Sequence, residues 1–155
     1  MNFLKILNES EKREIERELE EQFGIKNIPG LILRKGEERL FLFSGSFNKK
    51  EIKNLEKIVP IERIGVYFAK LMDGRVKLSI EGTYALKNQI EKNIFELEEN
   101  QVENWMKGQE LPVKTGKRGF LVMKYKNDFL GTGKASEEKI GNFIPKSRRL
   151  KNRSS

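Results

Sequence analysis

The sequence predicts an α+β protein: a small N-terminal α+β domain followed by a small, nearly closed β-barrel. Two observations predict it. Helical and hairpin patterns alternate over the first ninety residues, and two strand-like runs, the second interrupted by two glycines, follow residue 118. A third observation concerns function: residues 112–155 hold 12 Lys and Arg against three acids, a net of +9, whereas residues 1–111 hold 19 bases against 20 acids.

Asn8 precedes Glu9-Ser10-Glu11. Ile15, Leu19 and Phe23 follow at helical spacing and Gly24 closes the run, which is the pattern of an N-capped amphipathic helix. Its acids Glu14, Glu16, Glu18, Glu20 and Glu21 spread around the helix rather than converge, so they read as a solvated face. Leu31–Arg34 and Arg39–Phe43 flank Lys35-Gly-Glu-Glu as a hairpin. Asn48 opens a second helix through Ile52, Leu55 and Ile58, stopped by Pro60. Ile64–Leu71 and Arg75–Ile80 flank Met72-Asp73-Gly74, and Asp-Gly is a strong hairpin signal.

Glu81–Asn88 reads as a short helix, and Ile94–Leu97 as a strand. Glu98-Glu99 starts an acidic helix through Val102, Trp105 and Met106 that ends at Gly108, with Lys107 beside the negative end of the helix dipole. Trp105 reads as the anchor of that helix on the barrel. Gly119–Tyr125 and Phe129–Ala135 are strands around a turn at Lys126-Asn127-Asp128. The expected division is 1–90, 91–150 and a basic tail at 151–155.

Composition excludes much chemistry. Without Cys there is no thiolate nucleophile, thiolate metal site or disulfide. Without His the commonest general base and metal ligand are missing. No long apolar run suggests a membrane span or signal peptide, so a cytoplasmic protein is expected. Gly131-Thr132-Gly133-Lys134 fails both nucleotide motifs: a Walker loop needs Ser or Thr where Ala135 stands and Gly where Asp128 stands, and the dinucleotide fingerprint needs a third glycine where Ser136 stands. No cofactor is expected. The two glycines read as sites of a bulge or of close backbone approach, that of a nucleic acid included. Asp73 and Asp128 stand in turn contexts that account for them without catalysis.

A neutral body with a basic end is the charge layout of a phosphate-backbone binder. The basic residues Lys124, Lys134, Lys139, Lys146, Arg148 and Arg149 are interleaved with Tyr125, Phe129, Asn142 and Phe143. Cations of this kind fix register on phosphates, while aromatic and amide groups stack on or hydrogen-bond to unpaired bases. Arg148 and Arg149 read as bidentate phosphate ligands, whereas Phe129 and Phe143 read first as core residues.

The stretches Trp105–Leu111, Gly119–Tyr125, Leu130–Lys134 and Ile140–Arg149, in this order and spacing, resemble the PUA-type RNA-binding domain. The closest form is the one appended to RNA cytosine-5 methyltransferases of the Nop/Sun (Fmu) family. The resemblance implies a pseudo-barrel that binds structured RNA, ribosomal or transfer, without a cofactor. The contacts it implies are Lys107, Arg118, Lys124, Lys134, Asn142, Lys146, Arg148 and Arg149.

The catalytic half of that family uses cysteine and a glycine-rich cofactor loop, and neither is present. The expectation is therefore a non-catalytic, stand-alone archaeal-type protein acting in ribosome biogenesis, with a pre-ribosomal particle or a separate RNA methyltransferase as partner and no membrane. The alternative is a protein-interaction module docking on an acidic partner or on the ribosome, with its acidic helices at Glu14–Glu21 and Glu98–Glu103 suited to a basic one.

Overall fold

Asn8 starts the first helix as its sequence dictates. Its side chain accepts the Glu11 amide at 2.8 Å and Glu11 Oε1 accepts the Asn8 amide at 3.0 Å, a reciprocal cap for α1 (Glu9–Phe23). Gly24 ends the helix with φ +81°, a conformation only glycine adopts without strain. The computed structural model that shows this describes residues 4–151. Of the expected basic tail 151–155, all but Lys151 lies outside the described residues.

A five-stranded antiparallel sheet follows in chain order: β1 (Leu4–Ile6), β2 (Leu31–Lys35), β3 (Arg39–Phe43), β4 (Val66–Met72) and β5 (Arg75–Leu78). Both expected hairpins are present. The second turns on Asp73 (φ +52°) and Gly74 (φ +77°), two left-handed residues whose twist matches the flanking strands. Side-chain alternation separates two faces. Ile32, Leu40, Leu42, Phe68, Val76 and Leu78 pack with Ile15, Leu19 and Phe23 of α1. Leu33 and Phe41 pack on the other face with Ile52, Ile61 and Ile64.

Those last residues belong to α2 (Lys49–Glu56) and α3 (Ile61–Ile64). The sequence reading carried the second helix to Ile58. Instead α2 ends at Glu56, Ile58 is 79% exposed beyond it, and Pro60 is the N-cap of α3 rather than a stop. Proline's fixed φ suits a helix start as well as a helix end. Ile80, expected in the strand, opens α4 (Ile80–Ala85), because the Ser79 hydroxyl caps the Gly82 amide at 2.9 Å. Gly82 is required there: a Cβ would fall on the Phe68 carbonyl oxygen of β4.

A 3-10 turn at Lys87–Gln89 leads to a second sheet, ordered β6 (Ile94–Glu96), β7 (Gly119–Tyr125), β8 (Asp128–Ala135), β9 (Ile140–Asn142). β6 runs parallel to β7 and the other pairs are antiparallel. A single bridge, Leu111 to Ile140, adds to the β9 edge. Among the described residues no pairing joins the first strand to the last, so the barrel is an open one. Leu121, Met123, Ala135 and Ile140 on one face enclose Trp105 of α5 (Glu99–Met106). Phe120 and Val122 on the other face enter the core formed by α1 and the first sheet.

Candidate nucleic-acid interface

Trp105 organises the C-terminal unit. It is fully buried, and its indole Nε1–H donates to the Leu130 carbonyl at 2.8 Å. Gly133 leaves room for its ring. Gly131, at φ +84°, faces the Ile80 side chain. The two glycines of Gly-Thr-Gly therefore serve internal packing, not the approach of a nucleic-acid backbone.

The eight expected contacts separate into three kinds. Arg118, Lys134 and Lys146 are exposed, with no charged partner among the described residues. Lys107, Lys124 and Arg148 are paired with carboxylates: Lys107 with Glu103 at 3.3 Å, Lys124 with Glu96 at 3.9 Å and Arg148 with Glu81 of α4. Exposed pairs of this sort are worth about 0–1 kcal/mol, so a phosphate can displace the carboxylate.

Asn142 and Arg149 correct the sequence reading. The Asn142 amide donates to the Trp105 carbonyl at 2.8 Å and the Gln109 carbonyl at 3.0 Å, while its oxygen accepts the Ile144 amide at 2.8 Å. That side chain holds the end of α5 to β9 and has no capacity aimed at a base. Arg149 lies across Gly108 and donates from Nε to the Ile144 carbonyl at 2.8 Å. Its guanidinium fork is thus turned partly inward. Lys139, also in the basic constellation, pairs with Glu110 at 2.9 Å.

The aromatic residues pack as the core reading expected. Phe143 meets Phe120 edge-on at 6.1 Å, and Phe129 packs against the shared core with the Lys124 ammonium 5.4 Å from its ring. The acids of α1 are less idle than a solvated face implies. Glu16 accepts the Ile28 amide at 2.8 Å, and Glu18 pairs with Arg75 at 2.6 Å.

A second set of cations escaped the sequence reading. The strand register sets Lys35 opposite Arg39, Arg39 opposite Lys70 and Lys70 opposite Lys77, one unbroken row across β2, β3, β4 and β5. Glu62 accepts from Lys35 and lies 3.8 Å from Arg39, and Glu38 lies 3.5 Å from Lys70. The Lys35 hydrogen bond holds the Glu62 carboxyl below its ordinary range.

Lys77 has no carboxylate partner among the described residues. It is half-buried with its ammonium 4.3 Å from the centre of the Phe143 ring, and burial, with Lys70 nearby, lowers its pKa. The row ends at a groove of about 550 Å³ between the two sheets, lined by Arg39, Tyr67, Lys77, Thr132, Phe143 and Arg148 among others. No group of three or more His, Cys, Asp or Glu among the described residues could hold a metal ion, and no described helix is long and apolar enough to cross a membrane.

The C-terminal unit is thus a glycine-punctuated sheet that wraps a tryptophan helix and presents exposed cations, the charge layout expected of a nucleic-acid binder. Residues 92–150 match the family model described as the methyltransferase RsmF PUA domain. Over 131 residues the chain is 26% identical to the ribosomal RNA small subunit methyltransferase F of Psychromonas ingrahamii, covering 81% of this chain and 26% of that protein. It is 24% identical over 131 residues to the same-named protein of Aeromonas salmonicida, covering 84% and 26%. The similarity therefore reaches into the N-terminal unit, and the chain spans about a quarter of the length of these curated relatives.

Proposed function

We propose that this chain is the RNA-recognition component of a ribosomal-RNA modification system: it binds structured small-subunit ribosomal RNA and performs no chemistry itself. The observation that carries the reading is the match of residues 92–150 to a PUA domain model, which overlaps the basic stretch 112–155 with its net charge of +9. Arg118, Lys134 and Lys146 are the first phosphate contacts, with Lys107, Lys124 and Arg148 recruited from their carboxylate partners. A methyltransferase supplied separately, or a pre-ribosomal particle, is the partner in the cytoplasm. Residues 1–90 then act as a pre-PUA domain that fixes the orientation of the PUA unit.

The test is fluorescence anisotropy of the chain on small-subunit ribosomal RNA hairpins over a range of salt. Changing Arg118, Lys134 and Lys146 together to Ala is expected to make the log–log salt slope shallower by about 2 to 3. A salt-independent affinity, or an unchanged slope, overturns the proposal.

The alternative, a protein-docking module, has one observation in its favour: Phe47 and Ile58, at the two ends of α2, are 45% and 79% exposed. Capture of a partner that survives nuclease treatment and is lost when both are changed to Ser favours that reading.

A further inference from the structure

We propose that the cation row and the groove at its end form a second RNA-contact site, a track for a single-stranded phosphate backbone ending in a pocket for one unpaired nucleotide. The proposal rests on the RNA-binding reading above and names a cation row outside the C-terminal charge, which it meets only at Arg148 in the groove.

Like charges directly opposite on neighbouring strands are destabilising, and here four cations stand in one row. Strands about 4.8 Å apart make the row about 14 Å long, a spacing that phosphates of an extended strand can follow. It shares the sheet face that carries Phe41 and Tyr67, where α2 and α3 bury their own side chains. Among the described residues only Glu62 and Glu38 answer the four charges. Two cations' worth of charge is left for an anion.

The groove adds features that an ion track alone would not need. Thr132 is 3% exposed, and its hydroxyl has no hydrogen-bond partner. A buried hydroxyl without a partner is costly, and Thr132 is one of the residues that line the groove, so a small rearrangement on binding would give its hydroxyl a partner. Tyr67 and Phe143 offer aromatic surface beside it, and Lys77 and Arg39 supply the charge. A cation, an aromatic surface and an unpaired hydroxyl together match a phosphate, a base face and a base edge or ribose hydroxyl.

The volume lies within the range of about 300–1,000 Å³ typical of small-ligand sites, so a nucleotide fits and a duplex does not. The rim acids are already engaged, Glu62 by Lys35 and Glu81 by Arg148. Lys134 stands two residues beyond Thr132 on the same face of β8, which joins the groove to the PUA cations.

The experiment uses the full chain and two probes, an RNA hairpin with an unpaired oligouridine loop carrying 4-thiouridine and a blunt duplex of the same stem. Photo-crosslinks to the peptides holding Tyr67, Lys77 or Phe143 are expected with the hairpin. A K70Q/K77Q variant should lose about tenfold affinity for the hairpin, with the duplex unchanged. Equal binding of both probes by variant and wild type, with crosslinks only in residues 112–118, overturns the groove while leaving the PUA reading intact. Failure of the wild-type chain to bind either probe removes both. The crosslinks need no substitution, so a variant that failed to fold would not obscure the result.

Discussion

The ring of Trp105 sits so close to Gly133 that a methyl group on that glycine would come 2.8 Å from its Cη2 and 2.5 Å from Ile140 Cγ2. Neither neighbour can retreat easily, since the indole is fully buried and pinned to the Leu130 carbonyl. Gly133→Ala is therefore expected to destabilise the protein by about 1–3 kcal/mol through overpacking. Denaturant unfolding measures it, and a change below 0.5 kcal/mol would show that the PUA core is looser than its geometry.

Asn142 separates a structural from a ligand-binding role. Asn142→Ala leaves the Gln109 carbonyl and the Ile144 amide without their partner, while the Trp105 carbonyl keeps the Gly108 amide, at a cost of about 1–3 kcal/mol. RNA affinity per folded molecule should not move. A normal melting curve with weakened RNA binding would restore Asn142 to the contact surface.

Two groups in the groove oppose stability, and removing either should raise it. Thr132→Val deletes the unpaired hydroxyl, with a gain of about 0.5–2 kcal/mol, and Lys77→Met removes a partly desolvated charge, with a smaller gain because solvent still screens the half-buried ammonium. For Lys77 the folded pKa lies below the unfolded value, so its penalty is present at neutral pH and fades as pH rises through the folded pKa. Thermal unfolding at pH 7 and pH 10 should show the advantage of Lys77→Met shrinking at the higher pH.

Acid should act through Glu11 and Glu62. Hydrogen bonds from Lys5 and Lys35 hold these carboxyls below their ordinary 4.5. A depressed carboxyl stabilises the folded state above its unfolded pKa, and that contribution is lost as pH falls through the folded value. The chain should hold its stability from pH 7 to pH 5 and lose it below about 4.5. A Glu11→Gln, Glu62→Gln double variant should be less stable at pH 7 and show a flatter acid limb in unfolding scans.

Glu62→Gln alone carries a further consequence. It frees Lys35 and Arg39 from their carboxylate, so affinity for loop-containing RNA should rise about two- to fivefold if the row is a backbone track. Unchanged affinity in an anisotropy titration would argue that the row faces solvent only.

Local chemistry made α1, both hairpins of the first sheet and the β7–β8 pair readable in the sequence. Asn8, Gly24 and Asp73-Gly74 each dictate the backbone of their immediate neighbours. β1 and β9, three residues each, have no turn signal of their own to mark them in the sequence and are defined by their pairing with β2 and β8. Charge alone singles out Arg118, Lys134 and Lys146 as candidates, but nothing in the sequence says that Asn142 is occupied by carbonyls at the end of α5, or that Arg149 turns back onto the Ile144 carbonyl.

The cation row was half visible. Each hairpin turn by itself sets Lys35 opposite Arg39 and Lys70 opposite Lys77. Joining the two pairs requires the β3–β4 register, which a bulge near Leu40 and Phe41 shifts, and the sequence carries no sign of that bulge.

Phe120 and Val122 belong to the matched segment 92–150, yet they complete a core whose other walls are α1 and the first sheet. Boundaries drawn by sequence similarity therefore cut through an interior. Excised at residue 92, the PUA segment would present those side chains to water, and the first sheet would lose part of its own lining. The whole chain should melt in a single calorimetric transition, and an evolutionary graft of either half onto another protein would have to bring a replacement for the missing wall.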